Sequence, residues 1–127
     1  MSFVEFPAMR REVMVALACL ADADHQVRVW LNGAMPSPSY HDDLAMNIHV
    51  LYDDSQVLPF PATRVGTVLV AGDEVIRLEE LGRLLDVLIA EHGDRSDRMY
   101  AADPRWSAVS DAAAGCLAAM VRSWGFR

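Results

Sequence analysis

The chain has 127 residues, enough for one domain and too few for two ordinary ones, and a content of 53% hydrophobic and 23% charged residues marks it as a folding sequence. Its 11 basic residues are all arginines, dispersed along the chain against 18 acidic residues for a net charge of −7. That balance excludes nucleic-acid binding, which needs clustered positive charge against phosphates, and disfavours anionic membranes; it suits solubility or steering toward a basic partner.

Ala8 to Leu20 is expected as the first helix, with Met9, Val13, Leu17 and Leu20 at helical spacing and Pro7 suited to a first turn. Arg10-Arg11 ahead of Val13 to Ala21 copies a secretory leader only in outline. Glu5, Glu12 and Pro7 interrupt it, and Ala16-Leu17-Ala18 before Cys19 is no clean lipobox. No apolar run reaches the roughly 20 residues that span a bilayer, so the expected location is the cytoplasm. Asp22 or Asp24 caps a second short helix through Val27, Trp30 and Leu31 that closes at Gly33, although Val27, Val29 and Leu31 also alternate as a strand would.

Residues 34–41 form a loop rich in proline and serine. From Asp42 to Tyr52 two periods compete. Leu44, Ile48 and Leu51 make a helical stripe, whereas Leu44, Met46, Ile48, Val50 and Tyr52 alternate; Asp42 and Asp43, suited to a helix start by capping and by the dipole, favour a third helix. After a loop marked by Pro59 and Pro61, Thr63 caps a short helix through Val65, Val68 and Leu69 that ends near Gly72. Asp73 to His92 is the clearest helix, carrying Val75, Leu78, Leu81, Leu85, Leu88 and Ile89 on one face and stopping at Gly93. The last helix takes Asp103 as cap and Pro104 at its first position, with Trp106, Val109, Ala113, Cys116, Leu117, Met120 and Trp124 facing inward. The expected fold is all-α, a single compact bundle of about five helices over residues 1–127. The alternative is α+β, with a small sheet from residues 27–31, 44–52 and 65–70.

Chemistry is sparsely marked. Cys19 and Cys116 form no CxxC pair and sit in apolar runs, which reads as two reduced, buried thiols, with a bridge as the alternative; neither has an evident histidine partner. Walker and GxGxxG loops are absent, and Ser107, Ser110 and Ser123 lack a glycine-framed elbow. No catalytic residue and no cofactor are expected. The unusual feature is electrostatic: no arginine falls between Arg28 and Arg64, a stretch that holds Asp42, Asp43, Asp53 and Asp54. Asp42 and Asp43 are explained as helix-start charges, while Asp53 and Asp54 would meet the unfavourable end of the same helix dipole unless they lead a turn. A metal reading would use His41, Asp42 or Asp43, His49 and Asp53, with His49 and Asp53 on one helix face, but zinc needs three or four convergent ligands and nothing places His41 beside His49. Trp30 and Trp106 fit the core, each needing a partner for its indole N–H. Trp124 is the candidate for a subunit contact, and Tyr40 for an interface aromatic.

Several pieces read together: Leu17-Ala18-Cys19-Leu20-Ala21-Asp22, Gln26, Val29-Trp30, Asp42-Asp43-Leu44, Ile48 through Asp54, Val65-Gly66-Thr67-Val68-Leu69 and Pro104 through Val109. In their order and spacing they resemble a family of small, uncharacterised, acidic bacterial proteins, frequent in actinobacteria, whose relatives are sometimes discussed as immunity proteins of contact-dependent toxin systems. The resemblance implies an all-helical fold and assigns no activity. Many relatives carry a glutamate run before the long helix, where this chain has Val70-Ala71-Gly72-Asp73-Glu74.

The function expected from these readings is a non-enzymatic acidic module that docks a basic protein partner, such as a toxin, through Tyr40, Asp42, Asp43, Asp53 and Asp54. A small metal-dependent enzyme on the same acidic site, or a structural subunit that dimerises through its tryptophan-bearing terminus, is the alternative.

Overall fold

The computed structural model describes residues 4–35, 37 and 41–124, and within them the architecture is all-α. Helix α1 spans Pro7–Ala21 and α2 spans Ala23–His25, continuing as a π-helical segment over Gln26–Leu31. Helix α3 is Leu44–His49 with a π-helical continuation over Val50–Asp54. A 3₁₀ turn at Pro61–Arg64 leads toward α4 (Asp73–His92), then α5 (Asp97–Ala102) and α6 (Trp106–Trp124).

The apolar stripes of the three long helices meet in one core. Val13, Leu17 and Leu20 of α1, Leu78, Leu81, Leu85 and Leu88 of α4, and Val109, Ala113, Cys116 and Met120 of α6 are all buried in the same cluster. Helix α6 packs on both α1 and α4, and α3 closes over α1. Each buried leucine contributes about 1.5–3 kcal/mol relative to an exposed one.

Set among these apolar groups is an ion pair. The Arg10 guanidinium, 1% exposed, donates from Nη1 to Glu74 Oε1 at 2.8 Å and from Nη2 to Glu74 Oε2 at 2.6 Å. It also donates to the carbonyls of Val68 and Met120, while Val70 N–H donates to Glu74 Oε1. One bidentate pair thus ties α1, α4, the C-terminal part of α6 and the 68–70 segment together.

Several local expectations are corrected. The segment after Thr63 is not a helix: Gly66 holds φ at 92°, Val65 and Leu69 form a single parallel bridge, and Thr63 donates its hydroxyl to Phe60 rather than capping. Glu5 and Phe6 N–H groups bond to the Gly66 and Thr67 carbonyls, so backbone bonds that a helix would keep internal are shared with the N-terminal segment. No strand forms at 27–31, 44–52 or 65–70, and that lone bridge is all that remains of the sheet alternative among the described residues. Helix α6 starts at Trp106, later than expected, because Asp103 accepts from the Arg105 N–H and closes a turn of its own. Helix α5 was not anticipated at all.

Candidate functional site

The second and third helices converge on one carboxylate. Asp22 accepts from the His25 N–H and starts α2; π winding then places Gln26 and Val29 inside and leaves Val27, expected in the core, exposed, while Trp30 of the expected stripe packs partly buried against the core. Asp43 is the cap of α3, accepting from Met46 N–H at 2.8 Å. Its neighbour Asp42 therefore points the other way, inward, and is only 7% exposed. Asp42 Oδ2 lies 2.7 Å from His25 Nε2 and accepts from Trp30 Nε1 at 2.6 Å, while Oδ1 accepts from Asn47 Nδ2 at 2.9 Å. Below it Gln26 Nε2 donates to the Cys19 and Leu20 carbonyls, and Gln26 Oε1 accepts from Trp106 Nε1, so both indoles are satisfied.

Cys19 completes the group. A thiol, imidazole and carboxylate atom of Cys19, His25 and Asp42 all lie within 4.8 Å of one another. Burial, reinforced by the Asp42 carboxylate beside it, pushes the Cys19 thiol up to about 12. Cys116 is pushed up to about 12 as well, chiefly by burial in α6, and neither cysteine is bridged. The histidine beside Cys19 is five intervening residues away in sequence, a spacing without meaning until α1 and α2 fold back on each other.

Cys19 and Asp42 form one end of a groove of about 640 Å³ between α1 and α3. Val15, Ala16, Met46 and Val50 give it an apolar lining, Glu12 and Asp54 add acidic groups to Asp42, and Arg11 is its arginine. Val15 and Met46 are 58% and 44% exposed, large fractions for apolar side chains.

The residues expected to bind a partner thus divide. Asp42 is inside, held by His25, Trp30 and Asn47. Asp43 caps α3 and pairs with His41 at 2.8 Å. Asp53 is exposed and pairs with His49 on the same helix face; Asp54 is exposed in the groove. None of the four pairs with an arginine among the described residues. Tyr40 lies outside the described residues, as does the side chain of Trp124. Of the metal candidates, His41, Asp43, His49 and Asp53 do not converge: each histidine has its own aspartate, and no group of three potential ligands among the described residues contains any of these four, whereas Asp42 groups with Cys19 and His25 instead.

A second histidine cluster joins α4 to the α5–α6 turn. His92 Nε2 lies 2.9 Å from Asp103 Oδ2 and 3.6 Å from Glu91 Oε2. Arg105 bonds both carboxylates and holds Asp103 well below the usual carboxylate range. Aromatic contacts, edge-on from His25 through Trp30 and Trp106 to Tyr100 and tilted from Tyr100 to His92, link the two clusters through the core.

The family model described as a domain of unknown function, DUF7945, matches residues 4–123. The chain belongs to this family. No curated protein and no solved structure matches it. The DUF7945 match spans α1 through almost all of α6 and so includes both histidine clusters and the α1–α3 groove. Among the described residues no helix is long and apolar enough to cross a membrane.

Proposed function

We propose that this chain is a non-enzymatic acidic binding module that docks a basic partner protein along the α1–α3 groove, in the manner of a bacterial immunity or antitoxin-like component. The observation that carries the reading is the exposure of Val15 and Met46 in a groove that also holds Glu12 and Asp54. Apolar side chains left in water at this fraction are suited to become desolvated anchors, and neighbouring carboxylates to steer a cationic surface onto them. Asp43 and Asp53, on the same helical unit, extend the acidic field beside the groove; Asp42 serves as a buried strut instead. A net charge of −7 gives the same preference at long range. The earlier resemblance to immunity-like proteins is consistent with this role.

The test starts from the protein retained on the immobilised chain out of native cell extract and then purified. Val15→Arg and Asp54→Lys are each expected to weaken its binding by about tenfold or more, the loss of one anchor or one steering charge at a desolvated contact. Glu79→Lys, exposed on α4 outside the groove, is expected to leave it unchanged. Equal losses from all three variants, or none from Val15→Arg, would refute the groove as the docking surface.

A further inference from the structure

Outside the groove's docking role, the group at its end has the composition of a metal site. Cys19, His25 and Asp42 come from α1, α2 and the segment just before α3, and offer one sulfur, one nitrogen and one oxygen ligand atom, all within 4.8 Å of one another. Around a tetrahedral zinc ion, bond lengths of about 2.0–2.3 Å place such atoms roughly 3.4–3.6 Å apart. The set therefore needs side-chain adjustments of about an ångström rather than a rearrangement of helices. The 2.7 Å contact between His25 Nε2 and Asp42 Oδ2 opens as the ion enters between them.

The surroundings favour a cation. Trp30 and Asn47 donate to the two Asp42 oxygens and fix the carboxylate, the kind of support by which metal ligands are oriented. Gln26 fixes the Cys19 backbone through its carbonyl. Among the described residues no arginine pairs with any of the three, in contrast to the Glu91–His92–Asp103 cluster, where the Arg105 guanidinium already supplies the positive charge. Cys19 and Asp42 line the groove, so a fourth coordination position faces solvent.

We propose that Cys19 Sγ, His25 Nε2 and Asp42 Oδ2 bind one zinc ion, with water from the groove as fourth ligand. Mixed sulfur, nitrogen and oxygen donors with one open position suit zinc over the hard cations, which prefer oxygen alone. On binding, the thiol proton leaves to solvent and the imidazole keeps its single proton on Nδ1. A thiolate and a carboxylate then neutralise the ion. This inference does not depend on the docking proposal.

Cobalt(II) titrated into the chelator-treated full-length chain tests it. One equivalent is expected to bind with the intense visible bands of a four-coordinate ion and a thiolate-to-cobalt charge-transfer band in the near ultraviolet, displaced by one equivalent of zinc. Cys19→Ser is expected to abolish the charge-transfer band. His25→Gln, which keeps the thiol, is expected to weaken binding by more than tenfold, and Trp30→Phe, which removes the donor to Asp42 and trims the ring packed against His25 and Trp106, by about tenfold. His49→Gln and His92→Gln are expected to bind as the parent does. A parent chain without the charge-transfer band, a band that survives Cys19→Ser, or binding lost in His49→Gln would overturn the proposal; circular dichroism of each variant confirms that the helices remain.

Discussion

Arg10 and Glu74 face each other as a bidentate pair in the centre of the bundle, with contacts of 2.8 and 2.6 Å, and the guanidinium bonds to Glu74, Val68 and Met120 join segments remote in sequence. Burying two charges is favourable only when their hydrogen bonds are complete, and removing one partner leaves the other uncompensated. Glu74→Gln is therefore expected to lower unfolding free energy by about 3–5 kcal/mol in urea titrations. The double replacement Arg10→Met with Glu74→Leu is expected to cost less than either single change, because no charge is left alone. A double variant less stable than both singles would show that the pair contributes net stability.

Asp97, the first residue of α5, and Asp103, just past its end, respond to pH with opposite sign. Burial raises the Asp97 pKa, aided by Asp43 and Asp42 and opposed by the Leu44 N–H it accepts. A carboxyl harder to ionise folded than unfolded makes the native state less stable as pH rises through that interval, so Asp97→Asn is expected to stabilise the protein at pH 7 and to flatten this part of the profile. Asp103 is held low by Arg105, first through side-chain hydrogen bonding. Its contribution is present above the ordinary carboxylate pKa of about 4 and is lost on acidification below it. Asp103→Asn is thus expected to destabilise at pH 7 and to reduce acid sensitivity. Urea midpoints between pH 3 and 8 check both signs.

The three long helices were legible because their apolar residues, mostly leucines in α1 and α4 and Val109, Ala113, Cys116 and Met120 in α6, repeat with the period of an ordinary helix, and because Pro7 opens α1 and Gly93 closes α4. The two π segments were not. Asn32 and Ser55 N–H groups reach back to the Val27 and Val50 carbonyls, five residues away, so a stripe drawn at 3.6 residues per turn goes out of phase there. That is why Val29 rather than Val27 is inside. Helix α5 is a single short turn-and-a-half whose signal was Ser96-Asp97 ahead of a buried Tyr100, too little for periodicity to reveal. At the site, adjacency misled: Asp42 and Asp43 read alike as helix-start charges, yet a cap directs one outward and leaves the other to be buried by His25, Trp30 and Asn47. Only the packing of α2 beside α1 brings His25 to Cys19.

The thiols give a chemical check on that packing. With pKa values pushed up from 9.0 to about 12, both cysteines hold about a thousandfold less thiolate at neutral pH than an ordinary cysteine. Alkylation by iodoacetamide at pH 7.5 is expected to be slower than for denatured chain by at least that factor for Cys116, which is also wholly buried, and strongly slowed for Cys19. Peptide mapping after timed quenching distinguishes the two sites. Rapid native labelling of Cys19 would mean that it is not buried against α2 and Asp42 as described.

The central functional claim is electrostatic steering into the α1–α3 groove, and the association rate constant with the purified partner as a function of ionic strength tests it most directly. Steered encounters slow steeply as salt screens them, whereas unsteered ones do not. Raising salt from about 20 mM to about 500 mM is expected to reduce the rate constant by tenfold or more, with a shallower slope for the Asp53→Lys, Asp54→Lys double variant. A rate constant indifferent to salt, or an unchanged slope in that variant, would contradict the account.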